Sequence, residues 1–216
     1  MTRITDPTLI VVTFNVESYI WGAVKIQTKE TIMNNAVESE VKKSNWALDP
    51  THSKIQFSAR HMVITQVTGH FNKYDLNVNA SDDFLDADVE LTVDINSIDT
   101  GNIDRDNHLK SADFFDAEKY PKMVFKSGEV EKVGDTEYKL KGDLTIKGVT
   151  KPIELGVEFG GKIKDPWGKE RAGFTVTGKV NRFDYGLQWN ALMETGGAVV
   201  GKDIKITCDV EVVKND

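Results

Sequence analysis

The chain lacks most of what marks a stapled, nucleic-acid-binding or hydrolytic protein. Among 216 residues there is one cysteine, Cys208, so no intrachain disulfide can form and a disulfide-stapled scaffold is excluded. A basic excess is also missing. The formal net charge is -7 and the Lys and Arg residues are scattered, which gives no footprint for a polyphosphate backbone. Nucleic acid is therefore not an expected partner. G-x-S-x-G elbows, Gly-x-Gly-x-x-Gly turns and Walker-type loops do not occur, which leaves nucleophile-elbow hydrolysis and dinucleotide or NTP binding without an anchor. The four histidines, His52, His61, His70 and His108, form no H-x-x-x-H pair and have no Cys-His spacing, so neither a metal nor a catalytic cofactor is expected.

Long hydrophobic runs are scarce as well. The most apolar stretch, Leu9 to Val24, is interrupted by Asn15 and Glu17, and only Arg3 precedes it as a basic residue. It is too short and too polar to span a bilayer, and no small-x-small cleavage site follows it as in an export signal. Residues 1–44 read as a poorly defined leader, with Met33 as an alternative start. Residues 45–216 read as the folded domain. A cytoplasmic location is expected, with the periplasm as the alternative if the true N-terminus differs.

What the chain does have is alternation. Ile55, Phe57 and Ala59 alternate with polar residues, as do Val89, Leu91, Val93 and Ile95. The pattern returns in Tyr138-Leu140-(Gly142)-Leu144-Ile146, Ile153 to Phe159, Phe174-Val176-(Gly178)-Val180 and Ile204 to Val212. Period two means half-buried strands of an antiparallel sheet. Turn residues separate the runs at Asp82-Asp83, Val133 to Asp135, Gly148 to Pro152, Gly160-Gly161 and Asp165 to Gly168. Only Ile103 to Asp113 and a short piece at Ala117 to Tyr120 look helical. With so little helix, the apolar faces must close on one another. The expected fold is all-β, an extended antiparallel barrel of about eight strands with a short helical connection. Gly142 and Gly178, at inward positions, either leave lumen volume or mark curvature and bulges.

One segment, Arg105 to Phe125, gathers His108 and several acids beside Phe114, Phe115 and Tyr120. Hard ligands are present, but no known metal spacing is, and Ser111, Asp113 and Asp104 read as turn or helix-start acceptors. A structural cap is the reading this composition favours.

Several motifs, taken in order, carry a family resemblance. They are Trp46-x-x-Asp49-x-x-His52-Ser53-x-x-x-Phe57, His61, Gly69-x-Phe71, Ser97-Ile98-x-Thr100, Arg105-Asp106-x-His108 with Phe114-Phe115 and Tyr120-Pro121, Gly142 to Pro152, and Asn181-Arg182-x-Asp184-Tyr185-Gly186-Leu187. Over Trp46 to Val213 the chain resembles the YceI-like family. The resemblance implies a lipocalin-like barrel enclosing a long isoprenoid, a polyprenyl phosphate or an isoprenoid quinone, for binding, storage or transport without turnover. It also implies that the segment matching Arg105 to Pro121 is a helical connection packed on the barrel. Strand phase and motif position then nominate Phe57, Phe71, Phe125, Phe174 and Val176 as lumen residues. His61, Arg105, Arg182 and Trp189 are nominated at the mouth, with Arg182 equally readable as the buried partner of Asp184 or another acid.

Two rivals stand beside the carrier reading. One is a filled-core barrel that serves as a protein-interaction or stress-related module, and the other an enzyme using His61 or His108 as general base on a lumen-bound lipid. A homodimer is left open, with no interface located.

Overall fold

The computed structural model describes residues 42–191 and 199–215. The proposed leader, apart from its last three residues, lies outside them. The expected boundary at residue 45 falls one residue inside the first strand, β1 (Ser44–Leu48). There follow β2 (Lys54–His61), β3 (Thr65–Phe71), β4 (Tyr74–Ala80), β5 (Asp88–Asp94), β6 (Ile98–Asp99), helix α1 (Ile103–Lys110), β7 (Lys122–Lys132), β8 (Glu137–Ile146), β9 (Val149–Lys164), β10 (Glu170–Asn181) and β11 (Val200–Lys214).

These segments make an eight-stranded barrel because three pairs of them are single strands broken in the middle. β1 and β2 both run beside β11, with Leu48 opposite Val212 and Ile55 opposite Cys208. β3 and β4 pair with β2 and β1 in turn, and β6 and β5 pair with β3 and β4. β7 to β11 then follow as an antiparallel meander, and the β1–β11 pairing closes the ring. The breaks are stitched to each other. Asn72 N–H donates to the Ser97 carbonyl at 3.1 Å, Asp94 N–H to the Lys73 carbonyl at 2.9 Å, and Lys73 N–H to Ser97 Oγ at 2.9 Å. Closure leaves the meander without a long free edge, which is the ordinary route by which an all-β chain avoids edge-to-edge association.

Three expectations need correction. Gly160-Gly161 is not a hairpin turn. β9 runs through it, and the register slips there, with Gly161 opposite Gly173 but Phe159 opposite Phe174, so Gly160 is the extra residue of a bulge. The hairpin lies further on, where the Asp165 carboxylate accepts the Trp167 and Lys169 N–H groups. Ala117 to Tyr120 is a turn closed by Tyr120 N–H on the Asp116 carbonyl, not a helix. α1 is capped by Asn102, whose side chain accepts from Arg105 N–H at 3.0 Å, and not by Asp104, which lies within it, while Ser111 ends the helix and is a turn acceptor, its Oγ receiving Asp113 N–H at 3.4 Å.

Candidate functional site

The inward residues of the strands do not fill the barrel. They enclose a cavity of about 280 Å³ whose wall is almost wholly carbon. That is near the lower end of small-ligand pockets. All five nominated lumen residues, Phe57, Phe71, Phe125, Phe174 and Val176, stand on its wall. Alternation placed them there, since each belongs to the inward-facing set of its strand. The space does not come from the inward glycines. A Cβ on Gly142 would fall 2.6 Å from the Phe125 ring, and one on Gly178 would fall 2.4 Å from Leu155 Cδ2, so larger side chains already cover both positions.

One end of the cavity is covered by α1 and the turns after it, which contribute Leu109, Phe114 and Phe115 to the wall. The pattern Ser97-Ile98-x-Thr100 and Arg105-Asp106 proves to be the latch of this cover. The buried Asp106 carboxylate accepts from Thr100 N–H at 2.9 Å and from its hydroxyl at 2.6 Å. Arg105 donates from Nε to Thr100 Oγ1 and from Nη2 to the Thr100 carbonyl, each at 2.7 Å. Arg105 is thus a helix anchor and not a cavity residue. Trp189 packs outside the wall, 4.6 Å from the His108 ring and 5.3 Å from Phe114 between centroids. It clamps the segment after β10 onto α1. His108 Nε2 is 3.0 Å from the Asp113 carboxylate. His61 ends β2 at the hairpin rim and does not reach the cavity wall either.

Arg182 does reach it. This residue is 4% exposed and sits with Tyr185, 2% exposed, in a short 3-10 turn (Arg182–Tyr185) that follows β10. Asn181 caps the turn, and Gly186 closes it in the left-handed region at φ 76, where a Cβ would be strained. The alternative that pairs Arg182 with Asp184 does not hold: Asp184 accepts from Asn181 instead. The guanidinium is surrounded by backbone carbonyls, those of Gly201 at 3.0 Å, Leu187, Trp189 at 2.8 Å and Val200 at 3.2 Å. It lies over the Phe183 ring at 4.6 Å. Burial lowers its pKa and raises that of the Tyr185 phenol. Tyr185 Oη has no hydrogen-bond partner among the described residues. Cys208, also on the wall, has its thiol pushed up to about 11 by burial.

A second polar cluster lies where β1 breaks into β2. Asp49, His52 and Glu211 bring ligand-type atoms within 4.8 Å of one another. A cation is already in place there. Arg171 Nη1 donates to Asp49 at 2.6 Å and also to Glu211, and its Nε donates to Asp165 at 2.7 Å. Ser53 Oγ accepts Glu211 N–H at 2.9 Å. The Trp46-x-x-Asp49-x-x-His52-Ser53 motif is therefore the structural tie between the strand break and β11. Residue spacing alone does not reveal it, because Arg171 and Glu211 come from distant strands.

Known proteins share this architecture. The model of the YceI-like domain matches residues 46–212. A UPF0312 protein of Staphylococcus aureus (strain N315) is 39% identical over 170 residues, 78% of this chain and 96% of the relative. A Campylobacter jejuni YCEI protein superposes with a TM-score of 0.64 at 34% identity, covering 72% of this chain and 90% of that one. A polyisoprenoid binding domain from Saccharophagus degradans does so at 0.54 and 16% identity, covering 79% and 98%, which supports the fold alone. With the family model and the Staphylococcus relative each spanning most of the described barrel, the chain belongs to the YceI-like domain family.

Proposed function

We propose that the protein is a non-catalytic carrier that holds the chain of an isoprenoid lipid inside the barrel. The observation that supports this best is the cavity itself: about 280 Å³, enclosed by strands, and lined by aliphatic and aromatic side chains from nearly every strand. An apolar cavity of roughly 150 Å³ already stays dry and takes up benzene, so water is a poor occupant of a larger one. Each CH₂ moved from water into such a wall gains roughly 0.8 kcal/mol, from which ordering costs are subtracted. A long hydrocarbon chain therefore binds by extent rather than by special contacts. The Saccharophagus neighbour is a polyisoprenoid binding domain, and that adds weight to an isoprenoid over other apolar chains.

The enzyme rival has little to work with in this geometry. Its two general-base candidates, His61 and His108, are not among the side chains that line the cavity, where a general base would have to meet a bound substrate. The filled-core rival conflicts with the cavity. The test is native mass spectrometry of freshly purified protein, followed by solvent extraction. A stoichiometric isoprenoid is expected. Protein that is empty, folded, and indifferent to added quinones and polyprenyl phosphates would refute the proposal.

A further inference from the structure

The hairpin between β9 and β10 holds a tryptophan in water. Trp167 is 83% exposed at its tip, and Ile163, on the β9 arm, is 66% exposed. Trp is among the largest apolar side chains, so leaving it exposed forgoes much burial. The turn that presents it is well held. The Asp165 carboxylate accepts the Trp167 and Lys169 N–H groups at 3.0 and 2.9 Å, Arg171 Nε donates to the same carboxylate at 2.7 Å, and Gly168 takes the left-handed φ of 92.

The charge left free on this hairpin has one sign. From Lys162 to Arg171 it carries four cations and two acids, in a chain whose net charge is -7. Both acids are paired, Asp165 with Arg171 and Glu170 with Lys214 at 3.0 Å. Lys162 is taken by Asp82 at 3.5 Å, which leaves Lys164 and Lys169 flanking the tip with no acidic partner among the described residues. The Lys162–Asp82 pair also ties the hairpin to the loop between β4 and β5. That loop exposes Leu85 and turns Phe84 inward onto the cavity wall. Its other acids, Asp83 and Asp86, accept from Ser81 Oγ at 2.8 and 2.6 Å.

We propose that this tip docks the barrel on an anionic phospholipid surface, with Trp167 and Ile163 at headgroup depth and Lys164 and Lys169 against the phosphates. A protein partner fits less well, because a specific protein interface buries about 800 Å² on each side and a hairpin tip does not supply that. A bilayer asks for less. It takes an aromatic ring in the interfacial region, with flanking lysines whose stems lie along apolar surface while the ammonium stays among the headgroups. Docking here sets the loop that carries Phe84 against the bilayer. The inference goes beyond the carrier reading and does not depend on it.

The test is flotation of full-length protein with phosphatidylcholine vesicles, with and without phosphatidylglycerol. Wild type is expected to float with the anionic vesicles, and to do so less as salt rises. Trp167→Ser should weaken that binding about tenfold. Lys164→Glu combined with Lys169→Glu should weaken it by about tenfold or more and remove the preference for phosphatidylglycerol. Thermal midpoints of both variants are expected at the wild-type value, so that lost binding is not lost folding.

Wild type that ignores anionic vesicles, or variants that float as wild type does, would overturn the inference. The second result would assign bilayer contact to other residues, the apolar stretch Leu9 to Val24 first. A concentration-dependent dimer that Trp167→Ser abolishes, without vesicle binding, would overturn it in favour of a second copy of the chain on the tip. Solvent extraction of the same samples reads the carrier proposal separately: docking by protein that neither holds nor takes up isoprenoid would sink that proposal and leave this one standing.

Discussion

Phe57 packs over Gly69, its partner across the β2–β3 pair, so closely that a Cβ on Gly69 would stand 2.5 Å from Phe57 Cζ. The glycine is the seat of a cavity-wall ring. Gly69→Ala should force the ring toward the lumen at a cost of about 1–3 kcal/mol. At roughly 2–4 °C per kcal/mol for a chain of this size, that is a fall of several degrees in the thermal midpoint. Gly142→Ala should cost more. There the added methyl meets the Lys126 carbonyl oxygen at 2.3 Å as well as the Phe125 ring, and a backbone atom cannot rotate away. Differential scanning calorimetry of the two variants checks both the sign and the order.

The Arg171 network predicts how stability follows pH. Hydrogen bonds from Thr51 and Arg171 hold the Asp49 carboxyl well below the usual carboxylate range, and Arg171 lowers Asp165 likewise. Folded pKa values below the unfolded ones mean that this stabilisation is complete above the unfolded value, near pH 4. It is lost as pH falls through the folded values. Arg171→Met should lower the thermal midpoint by several degrees at pH 7, because Asp165 then stays buried without its cation. The gap from wild type should narrow steadily below about pH 4 as the carboxylates protonate. A constant gap from pH 7 to pH 2 would show that packing, not charge, is what Arg171 supplies.

Much of this architecture was legible in the sequence, and the boundary of legibility has a physical cause. Period two is a local signal, so Phe174 and Val176 on β10 or Ile204 to Val212 on β11 declare their inward face without help from the rest of the chain. Non-local ties do not declare themselves. Arg171 and Asp49 are 122 positions apart and meet only because β1 closes on β11. The surroundings of the arginines nominated at the mouth were hidden for the same reason. An arginine in a connecting segment reads as a free charge until its acceptors are known. Those of Arg105 are the hydroxyl and carbonyl of Thr100, and those of Arg182 are four backbone carbonyls. Asn102 as cap and the Gly160 bulge were missed because a turn signal marks where the chain can bend and not which side chain accepts the bond.

Cys208 supplies a reporter of the cavity. With a thiol pKa of about 11, roughly one molecule in a thousand is ionised at pH 8, against about a quarter of free cysteine. Alkylation of native protein by iodoacetamide at pH 8 should therefore be at least about a hundredfold slower than that of the same thiol in denatured protein. Lipid in the lumen should slow it further, because Cys208 Sγ belongs to the wall a ligand would cover. Labelling followed by mass spectrometry, with and without added isoprenoid, measures both effects. Labelling at the denatured rate would mean that the last strand opens readily.

The strictest test of the carrier reading uses the alternation itself. Val176 faces the cavity, while Thr177, next in β10, faces outward and is exposed. Tryptophan at 176 would project into the lumen and at 177 into solvent, since adjacent residues of a strand point to opposite faces. Val176→Trp should leave the protein folded but lower its thermal midpoint, overpacking costing about 1–3 kcal/mol. It should also lose most of its extractable lipid. Thr177→Trp, the same chemistry one residue away, should keep the wild-type lipid load. Because the two variants differ only in the side of the strand they occupy, a difference in bound lipid can arise only from the lumen. Equal lipid content in both, with each well folded, would place the bound lipid on the outer surface of the barrel.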